Sequence, residues 1–297
     1  MRLSKLVSLR EETKGMISPY KEHFEICEYT TQEELEHFLS HCSKEERQNL
    51  LLIAASDDTI RMGKVYDVAT LGYNNDSHFL SGVEYVVDSF EQVESYFLEK
   101  VHQRYHQIPW TIAETKRCII KELCMEDFDA LFELYKDKEL TKYTEPLLEY
   151  EEELNKQGAY IGYMYRYFGY GMWLVFLKDT GELIGRAGVE NRQIYDFERK
   201  SINSDVYEAS EGKTVTELGY LIKRKHQGQG LAKEVCHAIL QHAEEELGIH
   251  ELNCFIEEGN TPSIKLAESL GFSYLETIME QDRKMLRFIR KSPIIKH

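Results

Sequence analysis

The sequence lacks any run approaching the roughly 18 apolar residues that a membrane-crossing helix needs, and its N-terminus lacks a signal peptide's apolar segment. No membrane contact is expected, and the expected location is cytoplasmic. Six cysteines, at positions 27, 42, 118, 124, 236 and 254, include no C-x-x-C pair. That removes zinc-knuckle and thiol-redox motifs and leaves free, mostly buried thiols. His37 with His41 and His102 with His106 have the i, i+4 spacing of a helical metal grip, but neither pair carries the Glu of H-E-x-x-H. They read as surface-helix histidines, with no metal site expected. Basic residues are few, 36 against 52 acidic, and the net charge of −16 repels phosphate backbones, so nucleic acid is not an expected partner. The same field draws in a cationic substrate such as an amine, although an acidic surface also serves solubility alone.

A chain of 297 residues exceeds the usual single-domain size, and its 42% hydrophobic residues suffice for packed cores. Residues 1–23 are polar and read as a leader with one helical turn. Alternation then begins: Glu25–Tyr29 as a strand, a helix capped by Thr31 with Glu34 three residues later, and an apolar strand Asn49–Ala55. A helix from Asp58 to Tyr66 follows, then short strands at Val68–Tyr73 and Tyr85–Val87, and a closing helix Glu91–Gln107. Strands alternating with helices predict a small parallel sheet. Residues 50–93 resemble a fragment of the haloacid dehalogenase-like fold. The Asp-x-Asp nucleophile motif of that family is absent, and Ala54 and Ala55 stand where a metal-binding acid would follow the strand. Asp57 and Asp58 read as helix caps, with metal binding the alternative. The resemblance implies a degenerate, noncatalytic domain.

Pro109 in Gln107-Ile108-Pro109-Trp110-Thr111 stops the preceding helix, so a border falls near residue 112 and divides the chain into 1–112 and 113–297. A strand Arg117–Leu123 and a helix Met125–Lys136 open the second part, the helix with Phe128, Leu131, Phe132 and Tyr135 on one face. The stretch Leu147–Tyr167 reads as helical, acidic first and aromatic later. Its crowded Tyr160, Tyr163, Tyr165, Tyr167 and neighbouring Phe168 either line a site or pack against a sheet. Trp173–Leu177 and Glu182–Glu190 form a predicted hairpin around Asp179-Thr180-Gly181. The polar insertion Tyr195–Lys213 has no apolar periodicity and reads as a mobile loop or as surface ornament.

The stretch Thr216–Ala232 organises the rest. An apolar strand passes into Gln227-Gly228-Gln229-Gly230, and the glycines open directly into a helical pattern at Leu231 and Ala232. Gly228 and Gly230 permit close approach of a ligand to the main chain, and the first helical N–H groups lack intrahelical partners. That layout holds a diphosphate on main-chain donors. Neither Gly-Lys-Ser/Thr nor a complete G-x-G-x-x-G follows. Here the chain resembles the GCN5-related N-acetyltransferases, whose acetyl-coenzyme A loop reads Gln/Arg-x-x-Gly-x-Gly/Ala. That pattern is matched by Gln227-Gly228-Gln229-Gly230-Leu231-Ala232, and Asn260 with a short helix ending at Gly271-Phe272 supplies the next landmark. The resemblance covers residues 116–291.

It implies acetyl-coenzyme A as cofactor, with its diphosphate on residues 227–232, its pantetheine arm along Gly219–Ile222, including Leu221 and Ile222, and Asn260 bonding the arm from the other side. Asn260 also suits plain helix capping. An alkylammonium acceptor must lose a proton before it attacks. Glu217, on the strand entering the loop, is the candidate base, and Glu190 is the alternative; both also suit ion pairing or substrate anchoring. Many relatives carry a Tyr where this chain has Ala267, which leaves Ser263, a nearby Tyr or water to protonate the departing thiolate. The expected fold is α/β: a mixed central sheet flanked by helices, preceded by a small Rossmann-like parallel domain. The expected activity is transfer of acetyl to a primary amine, a small molecule for preference, by direct attack in a ternary complex, with homodimerisation left open. The alternative is a noncatalytic acyl-coenzyme A sensor.

Overall fold

The computed structural model describes residues 2–74, 79–194, 197–199, 207–209, 213–280 and 283–293. The chain divides into two compact units, Met1–Trp110 and Thr111–His297.

The first unit runs β1 Lys5–Leu9, α1 Arg10–Thr13, β2 Glu25–Tyr29, α2 Gln32–His41, α3 Lys44–Arg47, β3 Leu50–Ala54, α4 Asp57–Tyr66, β4 Ala69–Tyr73, β5 Val86–Val87 and α5 Ser95–Tyr105. All pairings are parallel, in the order β2-β1-β3-β4-β5. β1 corrects the expected leader. Leu6, Val7 and Leu9 are fully buried because the strand lies between β2 and β3 with both faces covered. Its one polar interior residue hides the apolar run, and that Ser8 is satisfied by the Thr13 hydroxyl at 3.2 Å. Thr31 caps α2 as its spacing predicts, accepting from Glu34 N at 3.2 Å. The cap of α4, in contrast, is Ser56, which accepts from Thr59 N at 3.2 Å. Asp57 and Asp58 sit in the first turn, where their charge suits the helix dipole without capping.

Open parallel sheets seat ligands beyond the carboxyl ends of strands where the connections diverge, here between β1 and β3. That crevice holds the chain's own Glu12, whose carboxylate accepts from Ala55 N at 2.7 Å, Ser56 Oγ at 2.6 Å and Thr59 Oγ1 at 2.7 Å. His102 is buried rather than on a helix surface; its Nε2 meets Gln48 O at 2.9 Å, and burial pushes its pKa down to about 4.

The second unit runs β6 Thr111–Glu114, β7 Cys118–Lys121, α6 Phe128–Tyr135, α7 Tyr150–Tyr160, a π-helical segment Ile161–Phe168, β8 Met172–Leu177, β9 Leu183–Ile194, β10 Phe197–Arg199, β11 Tyr207–Ala209, β12 Lys213–Ile222, α8 Leu231–Glu245, β13 Glu251–Glu257, α9 Thr261–Ser269, β14 Ser273–Glu280 and β15 Arg283–Lys291. β6, absent from the sequence reading, is the edge strand of a sheet ordered β14-β15-β13-β12-β9-β8-β7-β6. Within the insertion Tyr195–Lys213, β10 and β11 pair antiparallel, and the expected mobility falls outside the described residues. Phe128, Leu131 and Leu134 of α6 are buried, and Phe132 and Tyr135 of the predicted face are half-buried beside them.

One pairing positions the site. β9 and β12 are antiparallel over ten register pairs, from Lys213↔Ile194 to Ile222↔Gly185. β12 and β13 are parallel and meet at one pair, Glu217↔Asn253, after which the two strands part.

Candidate active site

Carbonyl directions identify which main-chain groups face the gap. Thr216 O is met by Asn253 Nδ2 at 3.2 Å, Leu218 O by Cys254 Sγ at 3.6 Å and Ile222 O by Gln227 Nε2 at 2.8 Å. Lys223 N, by contrast, donates to Ile184 O of β9 at 2.7 Å. In a strand these directions alternate, so even-numbered main-chain groups of β12 face β13 and odd-numbered ones face β9. Beyond the Glu217 pair the main chain of Tyr220 therefore faces the gap, and among the described residues β13 gives it no register partner. Of the two residues assigned to the cofactor arm, Ile222 turns its main chain to the gap. Leu221 does not, being registered with Arg186 of β9, and offers its side chain.

The gap opens into a cleft of about 900 Å³ whose lining includes Glu217, Tyr220, Gly228, Gly230, Asn260 and Ser263. At the end of β12 the chain makes one 3₁₀ turn, Arg224–His226, and enters the glycine loop. Gly228 and Gly230 both take left-handed φ, +73° and +77°. A Cβ at residue 228 would meet nothing within 4 Å, so the space a side chain would fill stays open to a ligand. Gly230 is the N-cap of α8 and gives no side-chain cap, and the first bond of the helix is Glu234 N to Gly230 O at 3.1 Å. The amides of Leu231, Ala232 and Lys233 are thus left without intrahelical acceptors, at the positive end of a 15-residue helix. These donors fit an anionic diphosphate. Gln229 lies outside the cleft lining, because its side chain folds back onto Lys225 O at 3.0 Å.

Two charged residues that sequence reading missed hold this loop from either side. Glu182, at the start of the β9 segment, gathers Lys223, Lys225 and His226 at 3.2, 2.9 and 3.3 Å, and the hydrogen bonds, from Lys225 above all, hold its carboxyl down at about 2. Arg117 donates from Nη1 to Gln229 O at 2.9 Å and from Nε to Glu234 Oε2 at 2.7 Å, while its own N–H donates to Glu234 Oε1 at 2.8 Å. No local pattern links positions more than a hundred residues apart in the chain. Arg117→Ala is expected to raise the Kd for coenzyme A about three- to tenfold, by loosening the loop, with kcat within a factor of about two. Calorimetry and saturation kinetics read the two quantities separately.

The carboxylates assigned to proton transfer are registered partners on β12 and β9. Glu217 keeps about a fifth of its side chain exposed, 21%, and pairs with Arg192 Nη1 at 2.8 Å; the other arm of Arg192 holds Glu280. Burial pushes the Glu217 carboxyl up, the neighbouring Glu190 charge adds to that, and Arg192 works against both. Glu190 accepts the phenol hydrogen of Tyr160. Asn260 caps α9, accepting from Ser263 N at 3.4 Å through Oδ1, and so has the capping role that its sequence context also suited. Ser263 accepts the Tyr220 hydroxyl on its carbonyl at 3.1 Å. Ala267 is fully buried, so that position delivers no proton donor, and Tyr220 is the phenol beside Ser263.

The aromatic stretch follows the packing reading in part. Tyr165 is fully buried and donates to Met172 O at 2.7 Å, whereas Tyr163 and Tyr167 are stacked and exposed.

An acetyltransferase (GNAT) domain model matches residues 117–273. The chain is similar to the uncharacterized protein YkkB of Bacillus subtilis, 29% identical over 58% of this chain and 92% of that protein. It is also similar to the uncharacterized N-acetyltransferase p20 of Bacillus licheniformis, 23% identical over 59% of this chain and 89% of that protein. Among solved structures, an acetyltransferase from Agrobacterium tumefaciens aligns with a TM-score of 0.48 at 21% identity, over 61% of this chain and 94% of the other. With the domain model spanning more than half of its 297 residues, the chain belongs to the GNAT acetyltransferase family and is an acyltransferase.

Proposed function

We propose that the protein transfers an acetyl group from acetyl-coenzyme A to a primary amine, a small molecule for preference, by direct attack in a ternary complex. The observation that carries this reading is the parting of β12 from β13 at Glu217, which places a half-buried carboxylate, the Tyr220 main chain and the open N-terminus of α8 along one cleft. Acetyl-coenzyme A, when bound, supplies the activated acetyl group. The amides of residues 228–232 would hold its diphosphate, and the Tyr220 and Ile222 main chain would pair with its pantetheine arm. Asn260 caps α9 through Oδ1, which leaves Nδ2 as the donor it would direct at that arm.

Glu217 takes the proton of the acceptor ammonium, and burial, by raising its pKa, makes the carboxylate a stronger base for that task. As the amide forms, its nitrogen releases a second proton to solvent, while Ser263 Oγ, or the Tyr220 hydroxyl beside it, hands a proton to the departing sulfur and is reprotonated from solvent. Lining carboxylates such as Glu139, Glu145 and Glu257 favour a cationic acceptor. The first unit serves as an accessory domain: Glu12 occupies the crevice in which its sheet would seat a ligand. Initial velocities measured while acetyl-coenzyme A and acceptor are varied together should give intersecting double-reciprocal lines; parallel lines would mean an acetyl-enzyme and overturn direct attack.

A further inference from the structure

Glu190 and Glu217 stand in direct antiparallel register, so their side chains share one face of the sheet. Such neighbours lie about 5 Å apart at Cβ, a separation at which like charges repel. Two interacting carboxylates in unlike surroundings divide into unequal members.

Their surroundings are unlike. From β9, Glu217 faces Glu190 and Arg192; from β14, Glu280 reaches it through the other arm of Arg192. From β13 it meets the Phe255 N–H, and Cys254 beside it has a thiol that burial pushes well up. Arg287 of β15 stops short of it, donating to Asn253 Oδ1 at 2.9 Å and to Glu276 at 2.7 Å. Glu190 is instead held by the phenol of Tyr160, at the end of α7.

That phenol is fixed from several directions. Its oxygen accepts Met172 N–H at 2.6 Å while its hydrogen goes to Glu190. The buried Arg186 guanidinium lies 5.4 Å from the ring centroid. Gly171 makes room for it: a Cβ there would stand 2.8 Å from the Tyr160 hydroxyl and 2.8 Å from the Tyr165 ring. Burial, with Glu190 adding to it, pushes the Tyr160 pKa far above the usual phenol range, so this group stays a donor.

We propose that Tyr160 is a positioning residue that fixes the Glu190 carboxylate opposite Glu217, so that Glu217 exchanges the acceptor's proton while Glu190 sets how tightly Glu217 keeps it. The inference rests on Glu217 being the base. A fixed negative neighbour disfavours a second negative charge, so Glu217 ionises at higher pH with Glu190 charged than without it. Removing that charge moves ionisation, and with it the acidic limb of activity, to lower pH.

The test is the pH profile of kcat/KM for one acceptor with the full-length chain as wild type, Glu190→Gln, Tyr160→Phe and Glu217→Gln, each checked for native circular dichroism. Ionisation of the amine is common to all four and drops out of the comparison. Glu190→Gln is expected to move the acidic limb down by about one pH unit, a tenfold change in proton affinity, with the alkaline plateau within about tenfold of wild type. Tyr160→Phe is expected to move it the same way by less, because the Glu190 carboxylate, no longer fixed by the phenol, can swing away from Glu217 and repel it less. If Glu217→Gln loses its base-dependent rate but the limb stays put in Glu190→Gln, the tuning role is overturned and the base assignment stands. If Glu190→Gln loses the plateau and Glu217→Gln keeps it, Glu190 is the base and both statements fail. Should Tyr160→Phe not fold, the Glu190→Gln limb decides.

Discussion

Glu217→Gln is expected to lower kcat/KM for the acceptor by about a hundredfold to ten-thousandfold at neutral pH, the range in which a positioned general base contributes. The amide keeps the shape of the side chain but has no lone pair basic enough to receive the ammonium proton. Burial raises the Glu217 pKa while Arg192 restrains it, so wild-type activity should fall as pH drops through that raised value and the carboxylate becomes protonated. At alkaline pH a growing share of the amine is neutral without help, and the variant should recover part of its deficit. A carboxylate that only anchors the substrate would give a loss independent of pH. Because Arg192 also loses a partner in this variant, a thermal melt should accompany the kinetics; Glu280 keeps the guanidinium paired.

Gly230→Val is expected to weaken coenzyme A binding tenfold or more, about 1.4 kcal/mol. The residue sits at φ +77°, where a β-branched side chain is strained by about 1–3 kcal/mol. Relieving that strain rotates the peptides that open α8 and displaces the amides of residues 228–232 from the diphosphate they would hold. The loop is exposed and outside the core, so the fold should persist, with a melt shifted by a few degrees at most. Calorimetric affinity equal to wild type would remove the diphosphate from this loop.

Much of the second unit could be read from its residues because its signals are local. The step from the strand ending at Ile222 through Gly228 and Gly230 into Leu231 needs only neighbouring positions, and the hairpin about Gly181 likewise. β1 was missed because Ser8 and the charges around it break an apolar run that burial on both faces would otherwise make plain. Ser56 was passed over as the cap of α4 in favour of the acids that follow it, although Ser suits that position equally well. Tyr220 carried no site signal of its own, and Tyr160 could be read only as lining a site or packing, because each is hydrogen-bonded to a partner far along the chain, Ser263 and Glu190. The ion pairs at Arg117, Glu182 and Arg192 belong to the same class, since sequence spacing says nothing about charges brought together by strand register. Register also decided that Leu221 presents a side chain rather than its main chain, a distinction of one residue that no composition rule contains.

The most direct test of the central claim is acceptor-dependent thiol release. The full-length protein is incubated with acetyl-coenzyme A and a panel of small primary amines, monoamines and diamines, and free coenzyme A thiol is followed against time. The account predicts that at least one amine accelerates release well above the rate without acceptor and yields the acetylated amine in equal amount. Tight binding of coenzyme A with no amine in the panel raising the rate would contradict it and leave a noncatalytic binding module as the better description.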